Sequence, residues 1–270
     1  MRAFSFPSFC VLILVVGLSM ATTSCTEAPK EQAKEIPQPE NPAAPGFNEA
    51  ESDTQAIALA NRVMKAMGGR QNWDQARFIS WDFFGARKLL WNKTTGDVRI
   101  ESERDSFRVV LNVHTQKGKV WRKGVELSDP DSVAKYVKKG RRIWINDAYW
   151  LVMPYKLKDS GVTLKYVAED TTQSGLLSDV LELTFASTGV TPENKYHVWI
   201  DRESSLVRQW SFFDHYEDDS ARFVTPWDNY QLHGGIQLSS SRGPNYDLNG
   251  IQVQDSVDAK LFESLDAAML

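Results

Sequence analysis

The sequence predicts an α+β fold, with helices gathered on one face of a large curled antiparallel sheet. Three observations point there. Short segments with period-two alternation follow one another from Phe78 onward. Only two segments show clear helical spacing, and both begin in the first half of the chain. Nine Trp, thirteen Phe and eight Tyr supply bulk for a sizeable core. About 215 residues remain for folding once an N-terminal leader and a Pro-rich stretch are set aside, which suits one β-rich domain.

The leader is read first. Arg2 precedes a thirteen-residue apolar stretch, Phe9 to Ala21. Crossing a bilayer takes about 20 apolar residues, so the stretch fits a secretory signal over residues 1–24 instead. Thr22, Thr23 and Ser24 stand directly before Cys25, and Cys10 is the only other cysteine. Cleavage leaves Cys25 alone, with no intramolecular disulfide and no cysteine metal site. The small residues before a lone cysteine resemble the lipobox of bacterial lipoproteins, with Thr22 where that motif usually has Leu. The resemblance implies acyl chains, palmitate among them, on Cys25 and anchoring in the cell envelope; the alternative is ordinary secretory cleavage near Ala21 or Ser24, which leaves a free thiol. Thr26 after the cysteine, rather than Asp, favours the outer membrane by analogy with enteric sorting. Residues 25–52 hold five of the eleven prolines and almost no large apolar residue. They are expected to form a disordered tether, with the folded domain spanning 53–270.

A helix is expected from Asp53. Ser52 and Gln55 make a capping-box pattern, Ile57, Ala60, Val63, Met64 and Met67 form the stripe, and Gly68-Gly69 ends it. Strands are expected at 78–84, 88–92, 98–101, 107–113 and 119–122. In the fourth, Phe107, Val109, Leu111 and Val113 share one face. Asp129 and Pro130 open a second helix with Val133, Tyr136 and Val137 inward and Gly140 as its end. The basic cluster Lys138-Lys139-Gly140-Arg141-Arg142 then reads as the helix C-terminus, where cations favour the dipole. Ile143 to Tyr155 is the densest apolar segment, broken in two at Asn146-Asp147. A meander follows, with strands at 162–169, 179–186, 195–201, 205–216, 221–227, 232–240 and 251–257. Gly161, Gly189 and Gly234-Gly235 are among its breaks. The total is ten to twelve strands and two helices.

The formal charge is −4, with no basic stripe, which argues against nucleic acid as a partner. His114, His197, His215 and His233 fall in no metal-ligand spacing, and no catalytic motif is present. Asp214-His-Tyr-Glu-Asp-Asp219 reads as a solvated hairpin tip. Neither an enzyme nor a metal or other cofactor is expected.

From about Thr54 to Phe262 the order of elements resembles the LolA/LolB-like group. The pieces that carry it are the opening helix, Tyr196-His-Val-Trp-Ile-Asp201 with Leu206-Val-Arg-Gln-Trp210, and the closing Leu261-Phe262. Tyr149 to Leu157 with Asp159, Gly161 and Val162 is similar to a family of Gram-negative lipoproteins assigned to that fold. The resemblance implies an incomplete β-barrel of about eleven strands whose helices cover an apolar concave face. It implies a ligand of acyl character, from a lipid or a lipoprotein, lined by Trp81, Phe83, Leu111, Trp144, Trp150, Met153, Leu183, Trp199 and Trp210. The same side chains equally suit a packed core. That leaves a glycan-binding face, or a protein-binding surface at 143–155, as alternatives. A monomer is expected.

Overall fold

The computed structural model describes residues 40–186 and 191–264. The leader, Cys25, the first part of the tether and Gly189 lie outside the described residues. The described residues fall in one compact unit.

Strands β1 (Phe78–Phe83), β2 (Arg87–Asn92), β3 (Asp97–Ser102), β4 (Phe107–Asn112), β5 (Gly118–Arg122) and β6 (Val125–Glu126) pair in sequence. The last strand, β14 (Leu248–Gln254), adds to the free side of β1 to complete an antiparallel sheet of seven. A second antiparallel sheet orders β7 (Val162–Thr171), β8 (Leu177–Phe185), β9 (Lys195–Asp201), β10 (Val207–Phe213) and β11 (Phe223–Pro226) in sequence. Between the two sheets in the chain runs the hairpin β12 (Asp228–His233) and β13 (Ile236–Ser241). Gly234 and Gly235, both at positive φ, form its turn, so the expected strand 232–240 is two strands. The sheets are antiparallel and unclosed, and with the helices they make the predicted α+β architecture.

Alternation sets which face is apolar. In β4, Phe107, Val109 and Leu111 are buried inward, and Arg108 points away. Those inward residues join Val98 and Ile100 of β3, Leu181 and Leu183 of β8, and Val198 and Ile200 of β9 in one core. Two helices fill it from the concave side. Helix α1 (Thr54–Ala66) buries Ala56, Leu59, Ala60, Val63 and Met64. Its end is tight: Gly68, at φ +107°, lets the chain pass Gly235 O so closely that a Cβ would lie 2.3 Å from it. The expected capping box is not formed. Ser52 Oγ donates to Asn48 O and accepts from Leu164 N, while Asp53 takes the N-cap position and its carboxylate accepts from Tyr166 N. A short helix that the pattern did not predict, α2 (Arg70–Gln75), follows directly.

The main departure concerns helix α3 (Pro130–Val152), which runs unbroken for 23 residues. Asp129 caps it as expected, accepting from Ser132 N at 2.9 Å. Gly140 does not end it. Gly140 lies at the closest approach to β4, where a Cβ would sit 2.9 Å from Leu111 Cδ2 and Val109 Cγ1. The apolar segment from Ile143 continues the helix because Val137, Gly140, Ala148, Leu151 and Val152, with the partly buried Trp144 between Gly140 and Ala148, keep one stripe at helical spacing. Asn146-Asp147 does not break it. Asp147 is 0% exposed and takes two hydrogen bonds from Arg87 of β2, at 2.7 and 2.9 Å. The cluster Lys138 to Arg142 is therefore mid-helix, and the dipole does not account for it.

Residues 40–52, expected to belong to the tether, lie against the domain, as does Asp53. Ala44 N donates to Lys158 O, Asn48 N to Val162 O and Asp53 N to Leu164 O. This strap satisfies backbone groups along β7, the edge strand of the second sheet, that are otherwise open to pairing. Asn41 is buried and Phe47 packs on the core.

Two stability outcomes follow from α3. Arg87→Met leaves a buried carboxylate unpaired and is expected to lower the unfolding free energy by about 3 kcal/mol in urea titration, with most of that recovered when Asp147→Leu is added. Gly140→Val is expected to cost about 1–3 kcal/mol by forcing α3 off β4. Parent-like stability for either single variant contradicts this account of the helix.

Candidate functional site

The C-terminal turns of α3 carry Tyr149 and Trp150 over the inner face of the second sheet. Period-two alternation delivers the partners: Phe185 from β8, Tyr196 from β9, Trp210 and Phe212 from β10, and Phe223 from β11. Trp150 meets Trp210 edge-on at 5.0 Å and stacks on Phe223 at 5.7 Å. Tyr196 lies 5.1 Å from Trp210 and 5.3 Å from Phe212, and Tyr149 lies 5.5 Å from Tyr196. Phe84, in the turn after β1, adds an edge contact to Trp150 at 5.5 Å. Seven of these rings are only half-buried: Phe84, Tyr149, Trp150, Phe185, Tyr196, Phe212 and Phe223. They form an aromatic mouth whose floor is Trp210 and Trp227, exposed 1% and 0%, with ring centroids 5.3 Å apart.

The floor holds polar atoms without partners. Tyr149 Oη, Trp210 Nε1 and Trp227 Nε1 are shielded from solvent and hydrogen-bond to none of the described residues. A buried donor left unmade is costly. Burial pushes the Tyr149 phenol well above its ordinary value, with the neighbouring Tyr196 adding to the rise, so it stays a neutral donor. Arg242 fixes the floor from below. It lies over Trp227 at 3.6 Å and donates to Ser239 Oγ, Ser241 O and Trp150 O, the last an end carbonyl of α3. Burial lowers its guanidinium to about 9, so it remains charged at pH 7.

Of the nine residues expected to line a ligand site, the structure brings Phe83, Trp150 and Trp210 together at this mouth. Trp81, Leu111, Met153 and Leu183 lie in the packed core, each 2% exposed or less. Trp144 packs against Trp91 at 5.4 Å. Trp199 sits on the opposite face of β9 from Val198 and Ile200, and its Nε1 donates to Asp170 Oδ2 at 3.1 Å. Tyr149, Phe185, Tyr196, Phe212 and Phe223 were not predicted. Their signal was present in the two-residue spacings Tyr196-Val198-Ile200 and Trp210-Phe212, which put them on Trp210's face.

Two other clefts are open. One, of about 220 Å³, lies over the outer face of β1, β2 and β14 near Leu90, Val257 and Leu261. The other, of about 450 Å³, lies between Arg87 and the basic stretch of α3. Among the described residues, no three His, Cys, Asp or Glu are placed to share a metal ion. His197 faces Glu182 across β8 and β9 at 3.1 Å. The segment Asp214 to Asp219 is a turn in which His215 N donates to Asp218 and Arg222 to Asp214. No described helix is long and apolar enough to cross a membrane.

No protein-family model matches this chain, and no curated protein matches it. Among solved structures, a DUF1329 family protein from Desulfovibrio piger is similar at 14% identity and a TM-score of 0.44, over 77% of this chain and 96% of its own. A LolA superfamily protein from Nitrosomonas europaea is similar at 11% identity and a TM-score of 0.40, also over 77% of this chain and 96% of its own.

The unpartnered hydroxyl makes a prediction for the ligand-free protein. Tyr149→Phe removes a buried unsatisfied group without opening a cavity, and is expected to raise the unfolding free energy by about 1 kcal/mol. A comparable loss of stability in a denaturant titration contradicts the assignment.

Proposed function

We propose that this protein is a lipid-anchored envelope protein that binds an acyl chain non-covalently at its aromatic mouth. The observation that carries the reading is the half-buried aromatic surface over Trp210, with polar atoms in its floor that lack partners. An apolar chain laid on these rings removes surface from water on both sides at about 25 cal/mol per Å². Covering eight methylenes contributes about 6 kcal/mol, and the ring surface covered with them adds to that, against the cost of ordering the chain. Tyr149 Oη and the Trp210 indole are donors suited to a carbonyl or carboxylate oxygen. The activity is binding rather than catalysis, and little selectivity among chain lengths is expected.

A sugar ring stacks best on one flat aromatic face or on two that are coplanar. Here Trp150 stands at 80° to Trp210, and Trp210 at 77° to Trp227. That arrangement lines a channel better than it forms a platform, so the acyl reading is preferred to the glycan one. The anchor rests on the sequence before Cys25. With Cys25 acylated and the tether running only to about residue 39, the mouth works close to one membrane, as a receptor or sensor rather than a shuttle.

Two experiments test these statements. The chain lacking residues 1–25 is expected to bind a fluorescent fatty acid with a Kd of about 1–10 μM, weakened about tenfold in Phe212→Ala. No binding at about 100 μM overturns the acyl reading. Metabolic labelling with radioactive palmitate is expected to mark the wild-type chain and to vanish in Cys25→Ala; equal labelling of both removes the anchor.

A further inference from the structure

The cleft between β2 and α3 is positively charged in a protein whose formal charge is −4. Arg87, Lys135, Lys138, Lys139 and Arg142 line it with one carboxylate, Asp147. That carboxylate is already engaged: Arg87 Nε and Nη2 donate to it, and Asn146 Nδ2 does as well. Arg87 Nη1 donates to none of the described residues. Among the described residues, Lys138 and Arg142 have no carboxylate within ion-pair distance, and Lys135 has only the Tyr136 ring, at 5.9 Å. With the helix continuing to Val152, no dipole end balances these charges either. An exposed run of cations is ordinarily a solvated face. Here the run walls a cleft of about 450 Å³ together with a guanidinium from another element.

The cleft and the aromatic mouth share one face of α3. Lys135, Lys138, Arg142, Asn146 and Trp150 follow at three- and four-residue spacing and share one face of α3. Eight residues of helix separate Arg142 from Trp150, about 12 Å. On the β2 side Arg87 lies over the Phe83 ring at 4.9 Å, and Phe83 and Phe84 both contact Trp150. The same helix face thus carries both the cations and the half-buried Trp150.

We propose that the cleft binds the phosphate-bearing headgroup of an anionic amphiphile whose acyl chain lies in the mouth. This rests on the acyl reading for the apolar end and adds the chemistry of the polar end. Guanidinium and ammonium groups give charge-assisted hydrogen bonds to phosphate oxygens, and the gap of about 12 Å matches the glycerol and first methylenes of such a ligand.

The test uses the chain lacking residues 1–25, which contains the whole compact unit. Titration calorimetry compares lysophosphatidic acid with the neutral monoacylglycerol of the same chain length and with inorganic phosphate. The phosphate-bearing amphiphile is expected to bind at least about tenfold more tightly than the neutral one. That advantage is expected to shrink as salt is raised to about 0.5 M. It is also expected to vanish in Lys138→Gln/Arg142→Gln but not in Lys65→Gln, a substitution on α1. Equal binding of the two amphiphiles overturns the headgroup site and leaves the acyl reading standing. Retention of the advantage in the double variant also overturns it. Inorganic phosphate binding as tightly as the amphiphile makes the cleft a free-phosphate site and overturns its link to the mouth. Failure of both amphiphiles to bind overturns both readings.

Discussion

The buried pair between Arg87 and Asp147 governs how the rest of the molecule is arranged. Asp147 has no exposure, and removing a carboxylate from water is tolerated only with a cation and hydrogen bonds in place. Burial raises its carboxyl above the ordinary value, while Arg87 and Asn146 hold that rise back. Once the pair is made, the polar step in the middle of an apolar segment no longer has to break the helix. Helix α3 therefore continues for three more turns after Gly140 and delivers Tyr149 and Trp150 over the second sheet.

Two further contacts hold the helix in register. At Gly140 the absence of a Cβ lets the helix approach Val109 and Leu111 of β4. At the other end, Arg242 takes the carbonyl of Trp150 while lying over Trp227. This buried guanidinium joins the end of α3, the chain after β13 and the step from β11 to β12. It places the aromatic floor where α3 and the second sheet meet. Ligand chemistry is thus positioned mostly by rigid elements, with all the half-buried rings but Phe84 on strands and helix.

Much of the sheet was legible because its inner face is apolar and its outer face polar. Phe107, Val109 and Leu111 announce β4 by alternation alone, and Asp129-Pro130 announce the start of α3. The course of α3 was not legible. Ile143-Trp144-Ile145 reads equally as strand, and the deciding contact, Asp147 with Arg87, spans 60 residues. The extent of the tether was misread for a related reason. Residues 40–52 lack bulk for a core of their own, but their backbone groups hydrogen-bond to Lys158 and Val162. For the site, tryptophan content drew attention to Trp81 and Trp199, whereas which rings stay half-buried is decided by tertiary packing. Tyr196, Phe212 and Phe223 follow from register, which a residue count does not reveal.

The central claim is that an acyl chain lies on the rings between α3 and the second sheet. A crystal structure of the chain lacking residues 1–25 with a bromine-labelled fatty acid tests it most directly. The account predicts an anomalous bromine peak within about 4.5 Å of the Trp150, Tyr196, Phe212 or Phe223 rings. Bromine confined to the outer groove beside Leu90 and Leu261, with the mouth rings packed as in the ligand-free protein, contradicts it.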